Sequence, residues 1–545
     1  MSNVGWSIKK KVSDAFQYVF LGVFLLGSLV APVAARGNAK GAVKAAQSNW
    51  SQAGRWEPSF SSAPLIHATV LPNGNVLHWT SFANHAYTRL WDCVLDPVTG
   101  LCDPDISGNN RHDVWYTDKD VYCSGHSLMS DGRVMITGGT LFGQAYDGDP
   151  GTTIFDYQTP IYPTVKAFKP GPNMANGRWY PSNVALGSGG TLTAAGTYCA
   201  QRGIIGNQCA QVANNLYPEI LPSSTATAWD KLDNAQMLLP LYPWLYYASN
   251  GKVFYAGQEA QSRWLDLQGE GAWSLGPVSS AYRESGSSVM YDTDKIMISG
   301  GGPVTPLATA EIIDLTPSAA PSPTPPAWQF TAPMANPRKH HNLTILADGT
   351  VLATGGTKGN GFNNNCPENV VYAAERWNPA NGTWSTMASM AQNRRYHSTA
   401  MLLPDGRVLS AGSAEYPSAG DTCPVLPNQY QTEIYTPPYL FNPDGTYATR
   451  PTISNAPSTM GYGQQILINM PNTSSIAKVT MVRLSSVTHS INMNQRINNL
   501  TFRRVGAGLR VTTPASGNVC PPGHYMMFVV NNAGVPSVAK IVQIQ

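Results

Sequence analysis

The sequence predicts an all-β protein in which a seven-bladed β-propeller is followed by a C-terminal β-sandwich. Glycine (50 residues) and proline (42) are abundant in the 545-residue chain, while charged residues make up only 12%. This composition is typical of a rigid, turn-rich β protein and not of a helical or disordered one. A strand–turn–strand pattern recurs seven times and then stops before the last part of the chain, where short strands alternate without it.

Seven tight turns define the repeat. Each repeat contains an apolar alternating strand, a turn that is usually Asn-Gly or Asp-Gly, a second strand and then small residues, which is the strongest short-range signal of a β-hairpin. Most turns follow each other at about 55 to 60 residues, with one shorter step between the fourth and the fifth. Seven copies at this period predict kelch-type propeller blades. The turns are Pro72-Asn73-Gly74, Ser130-Asp131-Gly132, Ser188-Gly189-Gly190, Ser249-Asn250-Gly251, Asp292-Thr293-Asp294, Ala347-Asp348-Gly349 and Pro404-Asp405-Gly406.

The repeat pattern ends after Tyr435–Leu440. The predicted domains are therefore an N-terminal targeting segment (1–36), the kelch-type propeller (37–445) and a β-sandwich of immunoglobulin-like class (446–545). Strands of the sandwich are expected at Gln465–Met470, Lys478–Leu484, Leu509–Thr513 and Tyr525–Val530.

The N-terminus has the features of an export signal. Lys9-Lys10-Lys11 precede a mostly apolar run from Tyr18 to Ala35, and Val33-Ala34-Ala35 offers small residues for cleavage. The apolar run is also close to the shortest length that spans a membrane, so an uncleaved membrane anchor is the alternative. In either case we expect the body of the protein to be secreted or on the extracellular face of the membrane.

The eight cysteines and the net charge narrow the classes of partner. Eight cysteines suit an oxidising compartment. A net charge of +3 is nearly neutral for this length, and no basic run carries interleaved aromatic residues, so nucleic acid is not an expected partner. Cys123 and Cys520 are hard to pair by position. The expected disulfides are Cys93–Cys102, Cys199–Cys209 and Cys366–Cys423.

Counting residues back from the turns shows which side chains able to bind a metal occupy equivalent positions in the repeats. Cys123 and His397 each lie nine residues before the last glycine of their turn, and Tyr180 and Tyr396 lie ten before it, counted from Gly190 in the third repeat. Equivalent positions on the inner strands of a closed ring converge on its axis. Repeats two, three and seven should therefore bring two phenols, a thiol and an imidazole to one mouth of the channel. Adjacent residues of a strand face opposite ways, so the Tyr-His pair requires a strand end or irregular backbone.

His340 is an alternative ligand, because it occupies the corresponding position in the sixth repeat. We rank it second, since no phenol or thiol accompanies it. The other histidines of the propeller and sandwich are expected at the polar rim or in the core: His67, His78, His85, His112, His126 and His524.

Four motifs give the chain a resemblance to a known family. They are Tyr122-Cys123-Ser124-Gly125, Arg178-Trp179-Tyr180-Pro181, Arg395-Tyr396-His397-Ser398 and the stretch Val487–Arg496, which contains Thr488-His489-Ser490. In this order, on a seven-bladed propeller with a C-terminal sandwich, the set resembles the copper radical oxidases, the family of galactose oxidase and glyoxal oxidase. The resemblance covers both domains.

The resemblance implies one copper ion bound by Tyr180, Tyr396, His397 and His489, with one position open to water or substrate. Copper(II) accepts imidazole and phenolate in such a tetragonal arrangement. It further implies a thioether between Cys123 and Tyr180 that forms a radical cofactor, and a role for Tyr396 as the base that takes the substrate's hydroxyl proton. Dioxygen would be the electron acceptor and would leave as hydrogen peroxide.

Two positions depart from the galactose-oxidising branch of that family. Tyr198 stands eighteen residues after Tyr180, where that branch has a tryptophan stacked on the thioether, so Tyr198 is the residue expected to contact the cofactor. The sugar-binding arginine of that branch has no counterpart in Leu241–Leu245. The chain therefore resembles the glyoxal oxidase branch more closely, and small aldehydes or primary alcohols are the implied substrates.

A non-catalytic function is the alternative. Kelch propellers also act as binding modules, and the rim of this one is rich in Trp and Tyr, which suits a cell-surface glycan or a protein. The complete ligand set favours the enzyme.

Overall fold

The computed structural model describes residues 49–62, 64–80, 88–105, 111–114, 119–141, 145–159, 167–202, 209–316, 325–413, 423–424, 426–506 and 508–545. The predicted targeting segment 1–36 and His85 lie outside these residues. All described residues belong to the unit Lys44–Gln545. None of the helices in the described ranges has the length and apolar character needed to cross a membrane. They are the short α-helix Trp50–Ala53 and the 3-10 turns Pro367–Asn369 and Pro438–Leu440.

Seven antiparallel sheets form the blades of the propeller, as predicted. Blade 1 contains His67–Val70, Val76–Trp79, Thr88–Trp91 and Arg111–Asp113; blade 2, Gly125–Leu128, Val134–Thr137, Thr152–Phe155 and Phe168–Pro170; blade 3, Ser182–Ala185, Thr191–Ala194, Glu219–Leu221 and Asp230–Lys231; blade 4, Trp244–Tyr247, Val253–Gly257, Gln261–Asp266 and Ala272–Val278. Blade 5 contains Ser287–Asp292, Lys295–Ser299, Ala310–Asp314 and Gln329–Thr331; blade 6, Asn342–Ile345, Val351–Thr354, Ala373–Asn378 and Thr383–Ser389; blade 7, Ser398–Leu402, Val408–Gly412, Gln431–Thr436 and Arg55–Ser61.

The ring is closed by strands from both ends of the propeller sequence. The outer strand of blade 7, Arg55–Ser61, precedes blade 1 in the chain and pairs antiparallel with Gln431–Thr436. Such closure protects the edge strands, which otherwise expose unpaired backbone groups.

Each predicted turn connects the two innermost strands of its blade. The residue that needs the left-handed conformation is the expected glycine in most blades, for example Gly406 with φ 83°. In blade 3 it is Gly189, with φ 87° and its N–H 3.0 Å from the Leu186 carbonyl, and not Gly190. The position of Tyr180, measured from Gly190, was therefore one residue out of register.

The C-terminal domain is a sandwich of a five-stranded and a three-stranded sheet. The four expected strands are present, with ends shifted by one or two residues. The five-stranded sheet contains Thr459–Met460, Lys540–Ile544, Gly523–Asn531, Ile476–Arg483 and Ile497–Leu500; the other contains Gln465–Asn469, Gly508–Thr512 and Phe502–Val505.

A finger of the C-terminal domain, residues 484–496, enters the propeller. Its strand Ser486–Thr488 pairs antiparallel with the inner strand of blade 1, where Thr488 lies opposite His67, and Ile491–Asn492 forms the other arm of the finger. Backbone pairing with a blade fixes the finger in the channel, so His489 at its tip is carried to the propeller axis.

All three expected disulfides are present, with Cα–Cα distances of 4.9, 5.4 and 5.4 Å: Cys93–Cys102, Cys199–Cys209 and Cys366–Cys423. Cys123 and Cys520 lie outside them, and both are buried.

Candidate active site

A ring of left-handed residues surrounds the axis at one mouth of the channel. In blades 2 to 7, a non-glycine residue with φ between 49° and 66° lies shortly before the inner strand. Such a conformation costs about 1–2 kcal/mol per residue, and backbone hydrogen bonds between neighbouring blades offset part of it. The Tyr180 N–H donates to Cys123 (2.8 Å), that of Tyr242 to Tyr180 (2.9 Å) and that of His340 to Ser285 (2.7 Å). The ring residues are Cys123, Tyr180, Tyr242, Ser285, His340 and His397.

The left-handed residues show which residues of the different blades occupy equivalent positions. Tyr180 lies nine residues before Gly189, so it shares the ring position of His397 and not that of Tyr396. In blades 3, 5 and 6, a buried arginine lies two residues before the ring residue, whereas in blade 7 Arg394 lies three before His397. Tyr396 is thus an additional residue in the turn of blade 7. The additional residue allows two adjacent side chains to face the axis, which a regular strand would not.

Four predicted side chains converge inside the ring. The hydroxyl of Tyr180 is hydrogen-bonded to that of Tyr396 and lies 2.9 Å from His489 Nε2. The His397 ring stacks on Tyr396 with 3.8 Å between centroids and meets His489 edge-on at 4.4 Å. Two phenols and two imidazoles from blades 3 and 7 and from the finger therefore share one small volume.

The orientation of His489 leaves its Nε2 available for a metal. Thr488 Oγ1 donates to the Ile66 carbonyl at 2.9 Å and lies 2.6 Å from His489 Nδ1. A hydroxyl whose hydrogen is already used must accept, so Nδ1 carries the ring hydrogen and Nε2 has the lone pair. Burial lowers the pKa of His489 well below its ordinary value, with His397 adding to the effect, so the ring is neutral. Metal binding requires this tautomer and charge.

The donor set fits copper. Burial raises the pKa of Tyr180 well above its ordinary value, and the nearby Cys123 and Tyr396 add to the rise. A phenolate here therefore needs a bound cation. The described residues contain no group of three or more His, Cys, Asp or Glu side chains able to hold a metal, so a metal at this position depends on the phenols. Neutral imidazole with phenolate is a combination that copper(II) accepts.

Cys123 and Tyr180 are neighbours on the ring, joined by the 2.8 Å backbone hydrogen bond. The Cys123 N–H also donates to His67 Nε2 at 3.1 Å, and the His67 ring stacks on Trp79 at 5.0 Å. His67 thus supports the backbone behind the thiol, which is a more specific role than the core position expected from the sequence.

Trp179, and not Tyr198, covers Tyr180. The Trp179 ring lies 3.8 Å from that of Tyr180 and 4.6 Å from that of Tyr146. Tyr198 lies instead in a hairpin, paired with Ala213, and is not among the described residues that line the cavity. The hairpin is Thr197–Arg202 with Cys209–Asn214. Counting eighteen residues along the chain therefore leads to a residue of this disulfide-linked hairpin and not to the ring that contacts Tyr180.

Sequence reasoning also missed three aromatic residues of the site. Tyr242 is the left-handed residue of blade 4, and the centroid of its aromatic ring lies 4.5 Å from that of Tyr180. It was identifiable from the sequence, because it lies nine residues before Gly251. Tyr122 Oη lies 3.5 Å from His397 Nε2. Phe362 belongs to a long loop of blade 6 with no sequence signal for its position.

His340 reaches the site but is not among the four converging donors. Its Nε2 lies 2.6 Å from the Phe362 carbonyl, and its ring lies 5.1 Å from that of Tyr396. A carbonyl only accepts, so Nε2 carries a hydrogen and offers no lone pair. Among the remaining histidines, His126 is buried, as expected, and His112 lies at the surface, 2.9 Å from Asp92.

A cavity of about 980 Å³ is lined by three of the four donors, Tyr180, Tyr396 and His489. Glu284 is the one acidic residue among the described lining residues, and no arginine is among them. Arg394 instead donates to backbone carbonyls of blade 7, at 2.8 Å from Gly412. Nine of its lining residues are Phe, Trp or Tyr: Tyr122, Tyr146, Trp179, Tyr180, Tyr242, Trp244, Tyr282, Phe362 and Tyr396.

Comparison with known proteins agrees with this geometry. Residues 82–439 match the family described as glyoxal oxidase N-terminus, and residues 450–544 match the galactose oxidase-like, Early set domain. The chain belongs to the glyoxal oxidase family of copper radical oxidases. The resemblance drawn from the four motifs is thereby confirmed, and so is the prediction of a copper-dependent oxidoreductase.

Relatives of this copper radical oxidase carry several substrate names. A galactose oxidase of Gibberella zeae is 29% identical over 524 residues, which cover 90% of this chain and 70% of that protein. The aldehyde oxidase GLOX of Vitis pseudoreticulata is 27% identical over 551 residues, 89% of this chain and 90% of that protein. A solved structure described as a novel fungal alcohol oxidase with catalytic diversity among the AA5 family, in complex with copper, superposes with a TM-score of 0.74 at 25% identity, covering 91% of this chain and all of that one.

Proposed function

We propose that this oxidase converts small aldehydes, as their hydrates, and small primary alcohols with dioxygen to the oxidised product and hydrogen peroxide. The observation that carries the proposal is the convergence of four donors beside an aromatic cavity that three of them line: Tyr180, Tyr396 and His489, with His397 behind them. Copper bound by these four side chains would supply a Lewis acid for the substrate oxygen and accept one electron.

Two tyrosines would carry out the other steps, which are proton transfer and transfer of the second electron. Tyr396, as the phenolate it would form on metal binding, accepts the hydroxyl proton, since its oxygen lies among the donors and its ring contacts those of His397 and Phe362. Tyr180, once joined to Cys123, accepts the second electron as a stabilised phenoxyl radical. For an alcohol the balance is RCH2OH + O2 → RCHO + H2O2, and for a hydrated aldehyde RCH(OH)2 + O2 → RCOOH + H2O2.

The thioether is an oxidation of the protein by the same oxidant. A new S–C bond forms between the Cys123 sulfur and a ring carbon of Tyr180, while the S–H and one ring C–H bond break. The two hydrogens and two electrons pass to dioxygen and leave as hydrogen peroxide. Support comes from the adjacent ring positions of the two residues and from the effect of the thiol on the pKa of Tyr180.

Small substrates are favoured over galactose because the cavity lacks a charged fork for sugar hydroxyls. No arginine is among its described lining residues, and Trp244 begins the blade 4 strand near the place of the family's sugar-binding arginine. Each buried hydroxyl left without a partner costs about 1–3 kcal/mol. Flat or small groups pack instead against Trp179 and Tyr146.

We further propose that the protein works outside the cell, which its three disulfides support. The alternative of a glycan- or protein-binding propeller without redox chemistry is not favoured, because the chain belongs to an oxidase family and retains the complete donor set.

Intact-mass measurement with and without copper tests the proposal. Copper and oxygen should lower the mass by about 2 Da through loss of two hydrogens, and the Cys123→Ser variant should show no such loss. Peptide maps that keep both parent peptides separate after this treatment would contradict the cross-link. Peroxide release with glyoxal, glycolaldehyde and galactose then ranks the substrates. If galactose has the highest kcat/KM, the substrate class is wrong even though the copper chemistry stands.

A further inference from the structure

A loop of blade 6, residues 358–366 and here named the strap, lies beside Tyr396. It follows the strand Val351–Thr354 and ends at Cys366, whose disulfide to Cys423 ties it to the loop of blade 7. Its Phe362 contacts Tyr396 edge-on, with 4.9 Å between ring centroids. Phe362 is 44% exposed and lines the cavity together with Tyr396.

Two successive side chains of blade 6 hold two successive carbonyls of the strap. Lys339 Nζ lies 3.0 Å from the Gly361 carbonyl, and His340 Nε2 lies 2.6 Å from the Phe362 carbonyl. Both side chains must donate, since carbonyls only accept. Both residues are buried, so water competes little for these bonds.

The rings of His340, Phe362 and Tyr396 form a triangle. The centroid distances are 4.9 Å for His340–Phe362, 5.1 Å for His340–Tyr396 and 4.9 Å for Phe362–Tyr396. Aromatic pairs prefer such tilted contacts at these separations. A shift of the strap would therefore remove one of the ring contacts that hold Tyr396.

Lys339 is an unusual residue to bury for structure alone. Among the described residues its ammonium forms no direct ion pair; burial lowers its pKa from the ordinary value, and the negative charge of Glu284 partly opposes that shift. An ammonium without a paired carboxylate is costly to bury. The hydrogen bond of its side chain goes to the Gly361 carbonyl of the strap, which indicates that the cost of burial serves to hold this loop.

We propose that His340 and Lys339 are positioning residues that fasten the strap, so that Phe362 packs on Tyr396 and holds this phenol in the geometry needed for proton transfer. The inference rests on the proposed role of Tyr396 as base. His340 acts through the strap and Tyr396 and does not bind the metal, although its ring position is that of a ligand in blade 7.

The test compares His340→Met, which removes the donor, with His340→Gln, whose amide nitrogen replaces Nε2. Displacement of reacting groups by about 1 Å costs up to about 100-fold in rate. His340→Met should therefore lower kcat/KM by about 10- to 100-fold and change the phenolate-to-copper absorption band, while copper content and cross-link mass stay those of the parent. His340→Gln should recover most of the activity and the parent spectrum. His341→Gln, whose parent ring bonds Ser299 Oγ at 2.9 Å, is the control for damage to blade 6 and should keep kcat/KM.

A double-mutant cycle locates the effect in the strap. If His340 acts through Phe362, the variant with His340→Met and Phe362→Ala together should be no slower than the slower single variant. Strictly multiplicative losses would overturn the inference. Loss of copper from both His340 variants would overturn it differently, by making His340 a ligand.

The two proposals fail in distinguishable ways. A parent protein that binds copper and forms the cross-link but releases no peroxide would contradict the proposed function. A parent that is active, with His340→Met equally active and spectroscopically unchanged, would contradict only the positioning role.

Discussion

Blades 6 and 7 reach the propeller axis with nearly the same local sequence and do different chemistry there. Blade 6 has Arg338-Lys339-His340, and blade 7 has Arg394-Arg395-Tyr396-His397. In both, the buried arginine pairs with a glutamate of its own blade, and the histidine takes the left-handed ring position. One histidine donates to a loop carbonyl, while the other meets His489 among the four converging donors.

The difference is one residue. The extra residue of blade 7 turns the phenol of Tyr396 toward the axis beside His397, whereas blade 6 has no residue there and uses its ring position to hold the strap. The comparison indicates that blades 2 to 7 share the left-handed position at the axis and that one additional residue gives blade 7 a second converging donor. Three experiments with substituted variants test this interpretation.

Removing the phenol of the extra residue should have the largest effect. Tyr396→Phe keeps the ring packing on His397 but removes the base, so kcat/KM should fall by about 10²- to 10⁴-fold, the usual contribution of a positioned acid–base group. Peroxide release with glyoxal measures the loss. Tyr430→Phe, at an exposed tyrosine, is the control. Full activity of Tyr396→Phe would mean that the additional residue of blade 7 is only structural.

Removing the buried arginine of the Arg–Glu ion pair should destabilise both blades, and blade 6 more strongly. Arg338 NH2 lies 2.5 Å from Glu375, and Arg394 NH2 lies 3.4 Å from Glu433. Leaving a buried carboxylate without its partner costs about 3–5 kcal/mol. Urea unfolding of Arg338→Met and Arg394→Met should show losses of that order, with the larger one for Arg338→Met. The reverse order would contradict the ranking of the two ion pairs by their distances.

Replacing each of two histidines by alanine should have the smallest effect of the three experiments. His489→Ala removes an imidazole donor and should weaken copper binding by about 10- to 100-fold, the range seen even for groups behind the ligands. His340→Ala should leave copper affinity close to that of the parent. Metal titration followed by copper analysis measures both. If His340→Ala loses copper and His489→Ala retains it, the assignment of ligands to blade 7 and the finger is reversed.

Much of the fold could be predicted from the sequence because its signals are local. A turn is specified by a few residues, and therefore all seven hairpins and the sandwich strands were identifiable. Two of the disulfides join cysteines nine or ten residues apart, and the third follows from the repeat. The four converging donors were also predicted, since each lies in a short motif at a strand end.

The tertiary structure decided which side chain does what. Counting from Gly190 aligned Tyr180 with Tyr396, whereas the turn glycine is Gly189 and Tyr180 is equivalent to His397. The error arose because strand register is set by pairing and not by counting glycines. Tyr198 lies in the Cys199–Cys209 hairpin, and Trp179 is the ring that contacts Tyr180. His340 and His489 look alike as single histidines, yet one Nε2 donates to Phe362 while the other faces Tyr180. Which lone pair is available depends on a partner distant in the chain, and only folding brings that partner within hydrogen-bonding distance.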